Sequence, residues 1–175
     1  ASRAFGAGPG AVRFIDGTFE PHAELEKRIA GFVGRPAARV FNSAYTTILG
    51  VGLTLTGPDT YWVGDELNHN CIIRAMRIAN VPRQRRAIFR HNDVAHLRAL
   101  LEADDPAAPK LIAFESVYSM DGDIAPIAAI CDLADKYDAL VMIDECHASG
   151  FIGKTGRGTH EFRNVMGRID IITGT

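Results

Sequence analysis

A carboxylate and a histidine follow directly after a run of apolar residues near position 140. The run 140–143 predicts a buried strand, Asp144 comes next, and His147 lies three residues further on. Ligands of open α/β sheets bind just beyond the carboxyl ends of the strands, and a buried acid there needs a cationic partner. A protonated pyridine nitrogen would be such a partner, as in pyridoxal phosphate (PLP) enzymes. The alternative is an Asp144 that caps the following loop, with His147 as an ordinary polar residue.

A second candidate lies at the start of a predicted helix. Ser43, Ala44 and Tyr45 follow the predicted strand 39–42 and open an apolar helix. Backbone N–H groups at such a helix start can bind a phosphate. Many strand–helix turns share this pattern, so it indicates a phosphate site only in combination with other signals.

Two more predicted strands, 61–63 and 111–114, are each followed by polar side chains. His69 could stack on an aromatic ring or be an ordinary loop histidine. Ser119 could hydrogen-bond a ring substituent, and Glu115 could hold a substrate or a neighbouring group. Four strand ends that each deliver polar groups favour a shared ligand site over scattered caps, but they do not name the ligand.

Strands and helices alternate along the chain, which predicts an α/β fold with a mostly parallel sheet flanked by helices. Helical periodicity near Pro21 places apolar residues on one face and ends at Gly34. That face comprises Leu25, Ile29, Phe32 and Val33. Further predicted helices cover a stretch through Val51 and Leu55 that follows the turn 43–47, residues 70–80, a stretch capped by Asn92 or Asp93, and 127–137. Further predicted strands cover 87–89 and 169–172.

Composition excludes several classes of function. A net charge of −2 without long charged runs argues against nucleic acid or an anionic membrane as a partner, and no apolar run is long enough for a membrane span. The three cysteines lack metal-ligand spacing, so we expect no metal site. With no secretory leader, reduced thiols in the cytoplasm are the expectation.

Five segments together resemble the α-oxoamine synthases, a PLP-dependent family with the aspartate aminotransferase fold. They are 65–69, 114–123, 144–148, 156–158 and 171–175. The resemblance implies that residues 1–175 are part of the large domain of a fold-type I PLP-dependent transferase. It also implies PLP as cofactor, an amino acid and an acyl-CoA as substrates, and a homodimer.

The resemblance implies contacts for the cofactor's phosphate and ring nitrogen. The N–H groups at Ala44 and Tyr45 would hold the phosphate, and Thr175 would bind it as well. Asp144 would pair with the ring nitrogen. The segment Thr46-Thr47-Ile48 departs from the family's usual pattern after the phosphate turn, which leaves the contacts there open.

The remaining roles concern the face and hydroxyl of the ring and the substrate. His69 would stack on the pyridine ring, and Ser119 and His147 would contact the ring hydroxyl or its neighbourhood. His69 and Glu115 would line the substrate site. The expected catalytic residues are therefore His69, Asp144 and His147.

Members of this family differ in their acyl and amino-acid substrates. Segments 156–161 and 165–175 resemble 2-amino-3-ketobutyrate CoA ligase, whereas 90–97 and 113–137 resemble 5-aminolevulinate synthase. 8-Amino-7-oxononanoate synthase and serine palmitoyltransferase share most of the motifs. We expect a ligase-like condensation with an acyl-CoA of open length and with glycine as acceptor, with alanine or serine as options.

The family's Schiff-base lysine lies three residues after the threonine that matches Thr175. Neither Lys136 nor Lys154 occupies that position. We therefore expect these 175 residues to be a partial large domain, truncated before the lysine, without a second domain and inactive alone. A non-catalytic fragment that serves as an assembly partner is the alternative from another functional class.

Overall fold

A computed structural model describes residues 2–8 and 10–175, in which the chain divides into two units, Ala1–Val40 and Phe41–Thr175. The first unit contains helix α1 (Ser2–Phe5), a π-helical turn (Arg13–Gly17) and helix α2 (Glu20–Val33). In the part of the chain that is described, no helix has the length and apolar character that a membrane span requires.

Helix α2 ends where the sequence predicted, but its apolar face is not the buried one. Gly34 follows the helix in the left-handed conformation, with φ of 70°, which glycine adopts without a steric penalty. Leu25, Ile29 and Phe32 remain 45%, 37% and 38% exposed. The residues that α2 buries lie on the adjacent face, around Glu26.

The strand predicted at 39–42 does not form, because a carboxylate takes its backbone donor. The Val40 N–H donates to Glu26 Oε1 at 3.0 Å, so it is not available for a strand ladder, and Phe41 is half exposed. Arg13 donates to the same oxygen at 2.6 Å. This bond is the main reason why the pKa of Glu26 falls to about 2.

The second unit holds a five-stranded sheet flanked by helices. Its strands are β1 (Tyr61–Asp65), β2 (Arg86–Phe89), β3 (Lys110–Glu115), β4 (Ala139–Asp144) and β5 (Ile171–Thr173). Its helices are α3 (Ala44–Leu55), α4 (Asn70–Ile78), α5 (Val94–Ala103), α6 (Ile127–Tyr137) and α7 (Thr159–Phe162). The strand order is β2-β1-β3-β4-β5, and every pairing is parallel. The predicted α/β architecture is therefore confirmed.

Alternation along the strands produces a buried cluster on each face of the sheet. One cluster joins Trp62, Leu111 and Met142 to residues of α3 and α4. The other joins residues such as Ile112 and Val141 to α5 and α6. Burial on both faces explains why the strands are continuous apolar runs rather than alternating polar patterns.

All five strands differ by one or two residues from their predicted bounds, and one strand residue differs from its predicted burial. Leu140 belongs to β4 but is 48% exposed, because it lies near the amino end of the strand and outside both buried clusters. Strand β5 begins at Ile171 instead of 169. Asp170 lies just before it and uses its side chain to accept the Val141 N–H at 2.8 Å.

Candidate active site

Four polar side chains end neighbouring strands of the parallel sheet and therefore lie along one edge. Asp65 ends β1, Glu115 ends β3, Asp144 ends β4 and Thr173 ends β5. The register pairs Glu115 with Asp144, and Asp144 with Thr173. All four residues are buried. This edge is where open α/β sheets bind ligands.

Asp144 is a buried acid that has no cationic partner in the part of the chain that the structure describes. Only 6% of the residue is exposed, and Oδ1 accepts the Cys146 N–H at 3.1 Å. Among residues 2–8 and 10–175, no Lys, Arg or His nitrogen lies within 4.0 Å of its carboxylate. Burial of an unpaired carboxylate is costly, so the position suits a ligand that brings a positive charge.

Two thiols lie near this carboxylate and remain protonated at neutral pH. Burial, together with a bond to Asp144, raises the pKa of Cys146 to about 12. Burial and the charge of Asp144 raise the pKa of Cys71 to about 11. The thiolate is the nucleophilic form of cysteine, so the structure favours a packing role over a nucleophilic role for Cys146.

Glu115 binds the two loops that carry His69 and Ser119. Its Oε1 accepts the His69 N–H at 2.5 Å, and its Oε2 accepts the Ser119 N–H at 3.2 Å. Burial raises the pKa of Glu115, while these two N–H groups oppose the rise and the charge of Asp144 adds to it. Glu115 was predicted to hold either a substrate or a neighbouring group, and in the structure it binds the neighbouring His69 and Ser119 N–H groups.

Asn68 completes this link, although no pattern in the sequence singles it out. Its side-chain amide donates to the Ala113 carbonyl at 2.9 Å and accepts the Glu115 N–H at 3.2 Å. Asn68 therefore ties the loop after β1 to the carboxyl end of β3. Its position directly before His69 in a recognised motif was the available signal.

His69 caps helix α4 and keeps its side chain accessible. Its Nδ1 accepts the Cys71 N–H at 3.2 Å and lies 2.8 Å from the Cys71 thiol. The residue is exposed, whereas its backbone is fixed by Glu115. A histidine held in this way presents an accessible ring in a defined orientation to a ligand.

The start of helix α3 has the features of an anion site. Ser43 caps the helix and accepts the Thr46 N–H at 3.1 Å. The first-turn N–H groups of Ala44 and Tyr45 have no intrahelical acceptor and lie at the positive end of the helix dipole. Thr46, at the departure from the family pattern, donates to Asn42 Oδ1 at 2.7 Å and so reinforces the turn.

Ser119, His147 and Thr175 are exposed residues in the segments that follow β3, β4 and β5. The turn around His147 is closed by the Ala148 N–H, which donates to the Glu145 carbonyl at 3.0 Å. All three side chains therefore remain accessible at the carboxyl end of the sheet. Ala44 and Tyr45 open helix α3, which packs against α4 and contacts β5.

The glycine-rich segment after β4 is organised by a buried glutamate that sequence reasoning did not single out. Both carboxylate oxygens of Glu145 lie 3.1 Å from the Thr159 N, and the Thr159 hydroxyl also donates to it. Gly158 has φ of 109°, and a Cβ there would overlap the Glu145 carboxylate. The motif at 156–158 therefore fixes the loop behind Asp144.

The stretch that contains all these residues matches a known family. Residues 7–175 match the family model described as aminotransferase class I and II. The chain belongs to this family. Its curated relatives include α-oxoamine synthases, so the resemblance predicted from the motifs is confirmed.

Two bacterial relatives illustrate the similarity. The chain is 51% identical to a 5-aminolevulinate synthase from Rhodobacter capsulatus, in an alignment that covers 100% of the chain and 42% of that relative. It is 46% identical to a 2-amino-3-ketobutyrate coenzyme A ligase from Escherichia coli K12, over 97% of the chain and 42% of that relative. The chain thus spans less than half the length of these relatives.

A solved structure supports the same assignment of fold. A serine palmitoyltransferase from S. paucimobilis, solved with a bound PLP–myriocin aldimine, is 37% identical with a TM-score of 0.93. The match covers 99% of this chain and 43% of that chain. The predicted fold, part of a fold-type I PLP-dependent transferase, is confirmed.

Proposed function

We propose that the protein carrying this chain is a PLP-dependent acyltransferase that condenses an amino acid with an acyl-CoA to an amino ketone. The observation that carries the proposal is the buried Asp144 carboxylate, which has no cationic partner among the described residues. A protonated pyridine nitrogen would supply that partner. Family membership and a neighbour solved with PLP support the same group.

The phosphate of the cofactor would lie at the start of helix α3. The N–H groups of Ala44 and Tyr45 would donate to it, and the helix dipole would favour its negative charge. Thr175 would add its hydroxyl from the segment after β5. The first-turn N–H groups of α3, which have no intrahelical acceptor, support this placement.

Asp144 would keep a proton on the ring nitrogen, because an adjacent anion raises the pKa of a cationic acid. Bound PLP supplies an electron sink for the carbanion that forms when the amino acid loses its α-proton. His69 would cover the ring face, while Ser119 and His147 would bond to the ring hydroxyl or its neighbourhood. These three residues would orient the ring and exclude water from it.

The overall reaction joins the α-carbon of the amino acid to the acyl carbonyl carbon. The thioester C–S bond breaks, CoA leaves, and loss of the carboxylate as CO2 gives the amino ketone, a step that can follow release in a ligase-like member. His69 would contact the substrate directly. Glu115 would act on the substrate site, in part through its hold on the His69 backbone.

We propose glycine as the acceptor in a reaction like that of 2-amino-3-ketobutyrate CoA ligase, with 5-aminolevulinate synthase and 8-amino-7-oxononanoate synthase as alternatives. The chain is 51% identical to a 5-aminolevulinate synthase and 46% identical to a 2-amino-3-ketobutyrate coenzyme A ligase, which supports each of these two reactions. We also propose a cytoplasmic homodimer. The three free cysteines support a reducing compartment, and light scattering of the purified protein would test the dimer.

Release of CoA by the purified protein tests the function. The protein carrying this chain, supplied with PLP, should release CoA thiol from one of acetyl-, succinyl- or pimeloyl-CoA in the presence of glycine, alanine or serine. It should also develop the visible absorbance band of bound PLP. If the protein releases no CoA and develops no PLP band under any of these combinations, the result would favour the non-catalytic assembly partner instead.

A further inference from the structure

His91 lies between the two loops that carry His69 and Ser119. Its Nδ1 is 3.0 Å from Asp65 Oδ1, and its Nε2 is 3.3 Å from Asp123 Oδ2. Asp65 ends β1 and precedes the loop to His69. Asp123 lies in the loop between β3 and α6, four residues after Ser119. One imidazole ring therefore contacts a carboxylate at the base of the His69 loop and another within the Ser119 loop.

The backbone around His91 is fixed to the end of β1 and the loop that follows it. The His91 N–H donates to Glu66 Oε1 at 2.8 Å, and the Asn92 N–H donates to Asp65 Oδ2 at 2.9 Å. Asn92 has φ of 55°, a conformation that asparagine tolerates better than most residues. The His91 ring also meets the Tyr118 ring edge-on, with centroids 4.4 Å apart.

These contacts continue to the candidate active site. The Tyr118 N–H donates to the Asp123 carbonyl at 3.0 Å, and the next residue, Ser119, donates its N–H to Glu115. Glu115 also holds the backbone of His69. Glu115 thus joins the two loops through their backbone N–H groups, and His91 joins them a second time, as a brace, through the Asp65 and Asp123 carboxylates.

We propose that His91 is a positioning residue that holds the His69 loop and the Ser119 loop in register for the cofactor ring. The proposal rests on the proposed function, because it is the cofactor ring that these loops would contact. His91 lies outside the five segments that carry the family resemblance, in segment 90–97, which resembles 5-aminolevulinate synthase.

The strength of this brace depends on the protonation of His91. A protonated ring donates to both carboxylates, whereas a neutral ring that donates to Asp65 can only accept at Nε2. It would then accept from the Asn92 side-chain amide, whose nitrogen is 3.0 Å away, and Asp123 would be released. Other charged or titratable groups at this position are Tyr118, whose ring meets that of His91, Glu66, which accepts the His91 N–H, and the Arg90–Asp93 ion pair on either side of it in the chain.

The sign of the pH dependence follows from these partners. Burial lowers the pKa of His91, but the bonds to Asp65 and Asp123 outweigh it, and the pKa lies above the usual histidine value. The stabilisation is therefore complete below that usual value. It is lost as pH rises through the higher pKa of the folded state.

Amide hydrogen exchange in the PLP-free protein tests the brace. Asp123→Asn should lower the protection factors of the Tyr118 and Ser119 amides by roughly two- to fivefold at pH 6, the range of a half-exposed ion pair. It should also remove their loss of protection at higher pH. Asp121→Asn, in the same exposed turn, is the matched control and should change neither. Asp123→Glu should restore the protection.

The cofactor provides an independent readout. His91→Gln, which keeps a polar side chain without the charge, should weaken PLP binding several-fold relative to the parent at pH 6, and this difference should disappear as pH rises through the range over which His91 titrates. Unchanged exchange in Asp123→Asn, or equal loss in Asp121→Asn, would overturn the role of His91. A wild-type protein that binds no PLP would instead overturn the proposed function, while exchange would still decide the brace.

Discussion

At the scale of single residues, the charge of Asp144 is the feature that the proposed chemistry needs. Asp144→Asn preserves the side-chain shape and an acceptor for the Cys146 N–H but cannot hold a proton on the ring nitrogen. We expect turnover, measured as CoA release with saturating PLP, to fall by roughly 100-fold or more. Thermal melting should stay close to that of the parent, and Asp121→Asn should leave turnover intact. Full turnover in Asp144→Asn would remove Asp144 from the mechanism.

The candidate site was predictable from the sequence where a side chain acts close to its own motif. Asp144 and His69 each follow an apolar strand, so their place at the sheet edge could be inferred. The partners of Glu115 could not be inferred, because the backbone of His69 is 46 residues away. The bridging position of His91 could not be inferred for the same reason, since Asp65 is 26 residues before it and Asp123 is 32 residues after it.

At the scale of elements, periodicity predicted the central strands because burial on both faces leaves them uniformly apolar. The apolar pattern predicted a strand wrongly at 39–42, where Val40 and Phe41 resemble a strand. There the Val40 N–H bonds to a carboxylate 14 residues earlier in the chain, an interaction that has no local pattern. The apolar pattern also predicted burial wrongly at Leu140, because exposure at a strand end depends on how far the covering helices extend.

Strand β4 offers a matched pair of substitutions that tests this view of the sheet. Val141 is 1% exposed and Leu140 is 48% exposed. Val141→Asp would place an unpaired charge in the core, and its backbone already lies against Asp170, so we expect a loss of roughly 3 kcal/mol or more. Leu140→Asp should cost less than about 1 kcal/mol. Urea denaturation measures both, and equal losses would show that the burial of β4 is misassigned.

At the scale of the whole molecule, the residues proposed to hold the cofactor come from a single unit of the chain. The acid, the helix start and the ring contacts all lie in the unit Phe41–Thr175. The lysines nearest in sequence to Asp144 are poor candidates for a covalent link to PLP. Lys136 lies on α6 and has its pKa raised, mainly by a hydrogen bond to Tyr137, so its amine is protonated. Lys154 lies in the exposed part of the loop after β4.

Borohydride reduction would locate the covalent link. In the protein carrying this chain, we expect reduction after PLP addition to trap one adduct, at a lysine three residues beyond Thr175. Residues 1–175 alone should bind PLP reversibly and trap no stoichiometric adduct at a single site, because the position three residues beyond Thr175 lies outside them. Peptide mass mapping of both samples distinguishes these sites. A stoichiometric adduct at Lys136 or Lys154 would contradict this arrangement, because both lysines precede strand β5, whose last residue pairs with Asp144.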